Sequence, residues 1–97
     1  MNQIERIKHM EDILNESCQA VKNLSKALEK YTETKEKLEE LRKYYDGGEW
    51  QKDFEDDEAG KLPKELNRGV LSEDAVFNLL EEDYELAEEI KELAEKL

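Results

Sequence analysis

Residues 47–69 read GGEWQKDFEDDEAGKLPKELNRG, and this stretch holds all four glycines and the only proline of the chain. Glycine and proline are the strongest local interruptions of regular structure. Neither occurs before residue 47 or after residue 69. The chain therefore divides into a long uninterrupted segment, a punctuated connector and a second uninterrupted segment. Ala, Glu, Lys, Leu and Arg supply 54 of the 97 residues, above the roughly 50% that marks long helices when the periodicity agrees. The predicted fold is all-α: a long antiparallel helical hairpin over residues 1–97, a single helical domain with an ordered helical connector.

The first helix is predicted over about residues 3–45. Asn2 is a candidate N-cap, and Glu5, three residues on, can close a capping box. Ile7, Leu14, Val21 and Leu28 recur at one heptad position. Met10, Ser17, Leu24, Tyr31 and Leu38 occupy the other, and Ile13, Ala20, Ala27 and Leu41 widen the stripe. Asp46-Gly47-Gly48 ends the helix, because glycine supplies the left-handed backbone that helix C-termini use. Its length is about 65 Å at 1.5 Å per residue. The second helix is predicted over about residues 73–96. Ser72 is its candidate cap, Glu73 and Asp74 suit the positive end of the dipole, and Leu71 with Val76 forms a hydrophobic staple. At about 37 Å it is much shorter than the first. Pairing Ser72 with Tyr45 would bring Asp83 opposite Lys35, an ion pair able to set register.

The connector, residues 46–71, is far longer than the few residues a helical hairpin needs. Trp50 and Phe54, four apart, share a face of a short helix predicted over about 49–59. Gly60 closes that helix, and Leu62-Pro63 forbids its continuation. Trp50, Phe54, Leu62 and Leu66 are the expected connector core, with Val70 and Leu71 beside them. A chain this small has few large apolar side chains to leave in water, so Trp50, Phe54 and Leu66 are expected to be mostly buried.

The acids from Asp53 to Glu58 are the one candidate cation or basic-peptide site. A calcium-loop template centred on Gly60 places Ala59 and Leu66 at ligand positions, and neither can ligate. A solvated acidic face is the simpler reading. His9 is the only histidine, on the face opposite the apolar stripe, and lacks the paired inward Glu-x-x-His motifs of a di-metal bundle. Cys18 stands alone beside the stripe, which excludes a disulfide framework and suggests a buried structural thiol. No nucleophile elbow, glycine-rich phosphate loop or Cys/His metal spacing is present. The expectation is no enzyme, no cofactor and no metal.

The net charge of −12 is uneven. Residues 1–45 carry nine acids and nine bases, whereas residues 72–97 hold ten acids against two lysines. So acidic a body repels phosphates and anionic lipid, which argues against direct binding of nucleic acid. No apolar run is long enough to span a bilayer, and the charged N-terminus does not read as a signal peptide.

The run EWQKDFEDDEAGKLPKELNRGVLSEDAVFNLL, most specifically DEAGKLP and RGVLSEDA, resembles a family of short, acidic proteins of low-GC Gram-positive bacteria classed as a domain of unknown function. The resemblance covers nearly the whole chain and implies a bacterial cytoplasmic protein. It brings no activity, cofactor or site residue. Function is therefore expected from the bare stripe. Helix 2 is too short to cover Ile4, Ile7, Met10, Ile13 and Leu14, the candidate interaction residues. They would serve a coiled-coil-like homodimer or a helical partner, unless the connector folds back over them or helix 1 breaks near Ser17-Cys18. The alternative is an acidic decoy that occupies a basic nucleic-acid-binding protein.

Overall fold

The computed structural model describes residues 1–97. It is all helical, with α1 (Gln3–Asp46), α2 (Glu49–Glu58), a single 3₁₀ turn (Gly69–Leu71) and α3 (Ala75–Lys96) in chain order. Contacts divide the chain into two units, residues 1–36 and residues 37–97. No helix is long and apolar enough to cross a membrane.

In the unit 1–36, α1 opens with the reciprocal cap its sequence encodes. The Glu5 amide donates to Asn2 Oδ1 at 2.9 Å, and the Asn2 amide donates to Glu5 Oε2 at 3.4 Å. Two of the four orphan amides of the first turn are thereby satisfied. Thr32 and Thr34 donate their hydroxyls to the carbonyls of Leu28 and Lys30, both at 2.8 Å. The helix continues through Ser17-Cys18 without interruption. No residue of α1 is buried. Helicity in residues 1–36 thus rests on local bonds and propensity, with no tertiary core beneath it.

The core lies in the unit 37–97, in and around the connector. Trp50, Leu71 and Val76 are buried. The C-terminus of α1 is closed by the Gly47 amide, which donates to the Lys43 carbonyl at 2.9 Å. Gly48, at φ 93°, then turns the chain into α2. At the other end of α2, the Lys61 amide donates to the Asp56 carbonyl and the Gly60 amide to the Asp57 carbonyl, each at 3.0 Å. Together they make a Schellman motif, whose C′ position needs a left-handed residue. Gly60 supplies it at φ 73°.

After the 3₁₀ turn the chain does not enter α3 at once. Ser72 is extended, at ψ 144°, and its Oγ accepts the Ala75 amide at 3.2 Å. Residues 72–74 form this turn, so the regular helix begins at Ala75, later than the sequence suggests. Within residues 37–97, Asp83 lies 3.9 Å from Arg42. Lys35 belongs to the other unit, where its ammonium lies 5.5 Å above the Tyr31 ring. Arg42 is also shared with Glu39 at 2.7 Å, and a part-exposed pair of this kind contributes about 0.5 kcal/mol.

The two backbone conformations yield a paired test. Gly60→Ala forces a side chain into left-handed backbone and is expected to destabilise by about 1 kcal/mol. Gly69→Ala, at an ordinary φ with open space around its Cβ, should stay within about 0.5 kcal/mol of wild type. Urea unfolding followed by circular dichroism measures both.

Candidate functional site

Three features of the surface and connector bear on function, and each is built from a short run of residues. The first is the connector itself. The Trp50 indole N–H donates to the Val70 carbonyl at 2.7 Å, which satisfies the one polar atom of a buried ring. The ring stacks on Phe54 with centroids 5.1 Å apart and takes Tyr45 edge-on at 5.1 Å. Spacing of four places Trp50 and Phe54 on one face of α2, and Tyr45 reaches them from the end of α1. Phe54 and Leu62 are half-buried. Leu66 is 46% exposed, contrary to the burial expected of it. It sits in the turn closed by its own amide on the Pro63 carbonyl, at 3.3 Å. Leu71 and Val76 fill the space instead, brought there by the 3₁₀ turn. Val70 is 39% exposed because its carbonyl, and not its side chain, faces the tryptophan.

The acids of α2 are distributed among these contacts. Asp53 Oδ2 accepts the Tyr44 hydroxyl at 2.6 Å, the short distance of a charge-assisted bond. Asp56 lies 3.5 Å from Lys52 and 3.8 Å from Lys61. Asp57 Oδ1 lies 3.0 Å from Arg68 Nε, close but off-line for a hydrogen bond. Arg68 also donates to the Pro63 carbonyl at 2.7 Å, so it ties the second half of the connector back to α2. Glu55 accepts from Gln51 at 3.1 Å. No group of three or more His, Cys, Asp or Glu side chains is placed to hold a metal ion. Asp53, Glu55, Asp56 and Asp57 thus each have partners of their own.

Partial burial, then the hydrogen bond to Asp53 and the charges of Asp53 and Glu49, push the Tyr44 phenol up to about 12 from 10.0. A raised folded-state value means that the folded protein holds this proton more tightly than the unfolded chain does. The associated stability is complete below pH 10 and is lost as pH rises through about 12. Unfolding in urea at pH 8 and at pH 11 should show a loss at the higher pH. Tyr44→Phe should lose part of that difference.

The second feature is a groove in the unit 37–97. Arg42, Tyr45 and Asp46 form one wall, and Phe77, Leu80, Glu81, Tyr84 and Glu85 the other. Phe77 and Tyr84, seven residues apart on α3, are 50% and 68% exposed. Sequence reasoning missed this pair. Tyr84 reads as a polar-face residue, and only the placement of α3 beside Tyr45 turns the two rings into one rim.

The third feature is the N-terminal stripe. Ile4, Ile7, Met10, Ile13 and Leu14 are 66%, 57%, 55%, 44% and 55% exposed. Val21, Leu24 and Leu28 extend the same heptad seam and are exposed as well. Cys18 is exposed, not buried. His9 is exposed too.

Among known protein families, a model described as "Domain of unknown function (DUF4298)" matches residues 7–93. No curated protein and no solved structure matches the chain.

Proposed function

We propose that this chain, which belongs to that family of unknown function, is a non-enzymatic helical interaction module. It docks a helix, its own or a partner's, along the N-terminal half of α1. The observation that carries this reading is the bare seam: five of its side chains between residues 4 and 14 are each 44–66% exposed. Contiguous apolar patches of more than a few hundred Å² are unusual on monomers and mark interaction surfaces. Residues 1–45 carry equal numbers of acids and bases, so no net repulsion guards the face. In this proposal the protein works in the cytoplasm, without cofactor, metal or direct contact with nucleic acid.

A second reading is favoured by the groove on α3. Exposed Phe77 and Tyr84 stand beside Asp46, Glu81 and Glu85. Ring faces flanked by carboxylates suit Lys or Arg side chains of a basic protein. In this reading the chain is an acidic regulator that covers a nucleic-acid-binding surface.

The test is affinity capture from lysate with tagged wild type, Ile7→Glu/Leu14→Glu and Phe77→Ala/Tyr84→Ala. The seam reading expects a discrete partner, or the untagged chain itself, to be retained by wild type and lost by the glutamate variant. Retention by wild type and both variants alike defeats both readings. Capture of basic proteins that is lost only with Phe77→Ala/Tyr84→Ala, and that weakens in high salt, selects the second.

A further inference from the structure

We infer that the occupant of the N-terminal seam is a second copy of the same helix, antiparallel to the first, which rests on the docking reading above and specifies it. Three observations select this partner. The first is area. Eight large apolar side chains between Ile4 and Leu28 are exposed, each presenting roughly 100 Å². Together they offer on the order of 800 Å² per chain, the contribution of one partner to a stable interface. A seam this long needs a partner helix of equal length, and an identical helix has it.

The second observation is the heptad register. Set antiparallel, Ile7 lies beside Leu24 of the other copy, Met10 beside Val21 and Leu14 beside Ser17. The two-fold axis passes between Asn15 and Glu16, near the middle of the exposed seam. At the flanks, Ile13 meets Ala20, a large residue against a small one, as close helix packing requires. Arg6 and Glu11 are the only charged residues at the flanking positions between residues 4 and 28. They face Ala27 and Cys18, so no like charges meet.

The third observation decides orientation. Arg42 and Tyr45 continue the heptad, and they already line a groove with Phe77, Leu80 and Tyr84 of α3. A parallel partner would follow the seam into those positions and meet α3 there. An antiparallel partner ends at Leu28. Charge agrees with this choice. Residues 37–97 carry twenty acids against nine bases, whereas residues 1–36 carry seven against six. Parallel pairing would set residue 36 of both copies side by side, where the two acidic segments begin, whereas antiparallel pairing sets those starting points at opposite ends of the paired helices, farther apart than the screening length of about 8 Å.

The experiment uses the full chain in a Cys18→Ser background. Met10→Cys combined with Val21→Cys is expected to give a covalent dimer on mild oxidation, because each thiol lies beside its counterpart in the other copy. Within one helix these positions are about 16 Å apart, out of disulfide reach. Met10→Cys alone should not cross-link. Wild type should sediment at twice the monomer mass, and Ile7→Glu/Leu14→Glu at the monomer mass with unchanged helical circular dichroism. Cross-linking by Met10→Cys alone would show a parallel pair and overturn the inference. So would a wild type that sediments as a monomer at high micromolar concentration. A monomer that still loses a lysate partner on Ile7→Glu/Leu14→Glu overturns the second copy and leaves the docking face standing. A monomer with unchanged capture overturns both.

Discussion

The hydrogen bond from the Trp50 indole to the Val70 carbonyl, at 2.7 Å, ties the start of the connector to its end. Twenty residues separate the two groups, and closing such a loop is entropically costly. The bond alone does not offset that cost. It removes the penalty of burying an unpaired indole N–H, so the ring can contribute its full apolar area. With the ring in place, Phe54 stacks on it, Tyr45 meets its edge, and Leu71 and Val76 close over the remainder. Burial of Leu71 and Val76 contributes roughly 2 kcal/mol each. The start of α3 is positioned by residues on either side of the 3₁₀ turn that carries Val70.

Around this centre the acids of α2 hold the periphery. Asp53 holds the Tyr44 hydroxyl, Asp57 holds Arg68, and Arg68 reaches the Pro63 carbonyl. Each contact joins elements within residues 37–97 that a core of three buried side chains would leave loosely joined. The density of acid between Asp53 and Glu58 is thus explained largely by latching. The Tyr44–Asp53 bond is the most sheltered of these contacts, which is why its phenol holds its proton to about 12.

The unit 1–36 is governed by different physics. None of its residues is buried, and a helix that buries no face draws its stability chiefly from caps, propensity and side-chain pairs. The Asn2–Glu5 box and the threonine back-bonds supply local closure. Its apolar seam contributes nothing to stability until something covers it. Folding and association are coupled in this segment: a partner helix would add the tertiary packing that the segment lacks.

Helix limits were legible in the sequence because they depend on local chemistry. The glycines at 47, 48 and 60, the Asn2–Glu5 box, Ser72 and the spacing of Trp50 and Phe54 act over one helical turn, and one turn of sequence is enough to read them. The exposed seam was legible for a similar reason, since a heptad pattern longer than the helix that could cover it must be left bare. Three things required the tertiary structure. Leu66 and Leu71 are both apolar residues in the same connector, but only the path of the chain through the Pro63 turn and the 3₁₀ turn exposes one and buries the other. Asp83 lies beside Arg42 because the connector sets where α3 starts relative to the end of α1, and hydrophobic spacing does not encode that placement. Phe77 and Tyr84 face Tyr45 across one groove only through the placement of α3. Sequence determines what each turn of backbone does, and packing between turns distant in sequence determines which residues meet.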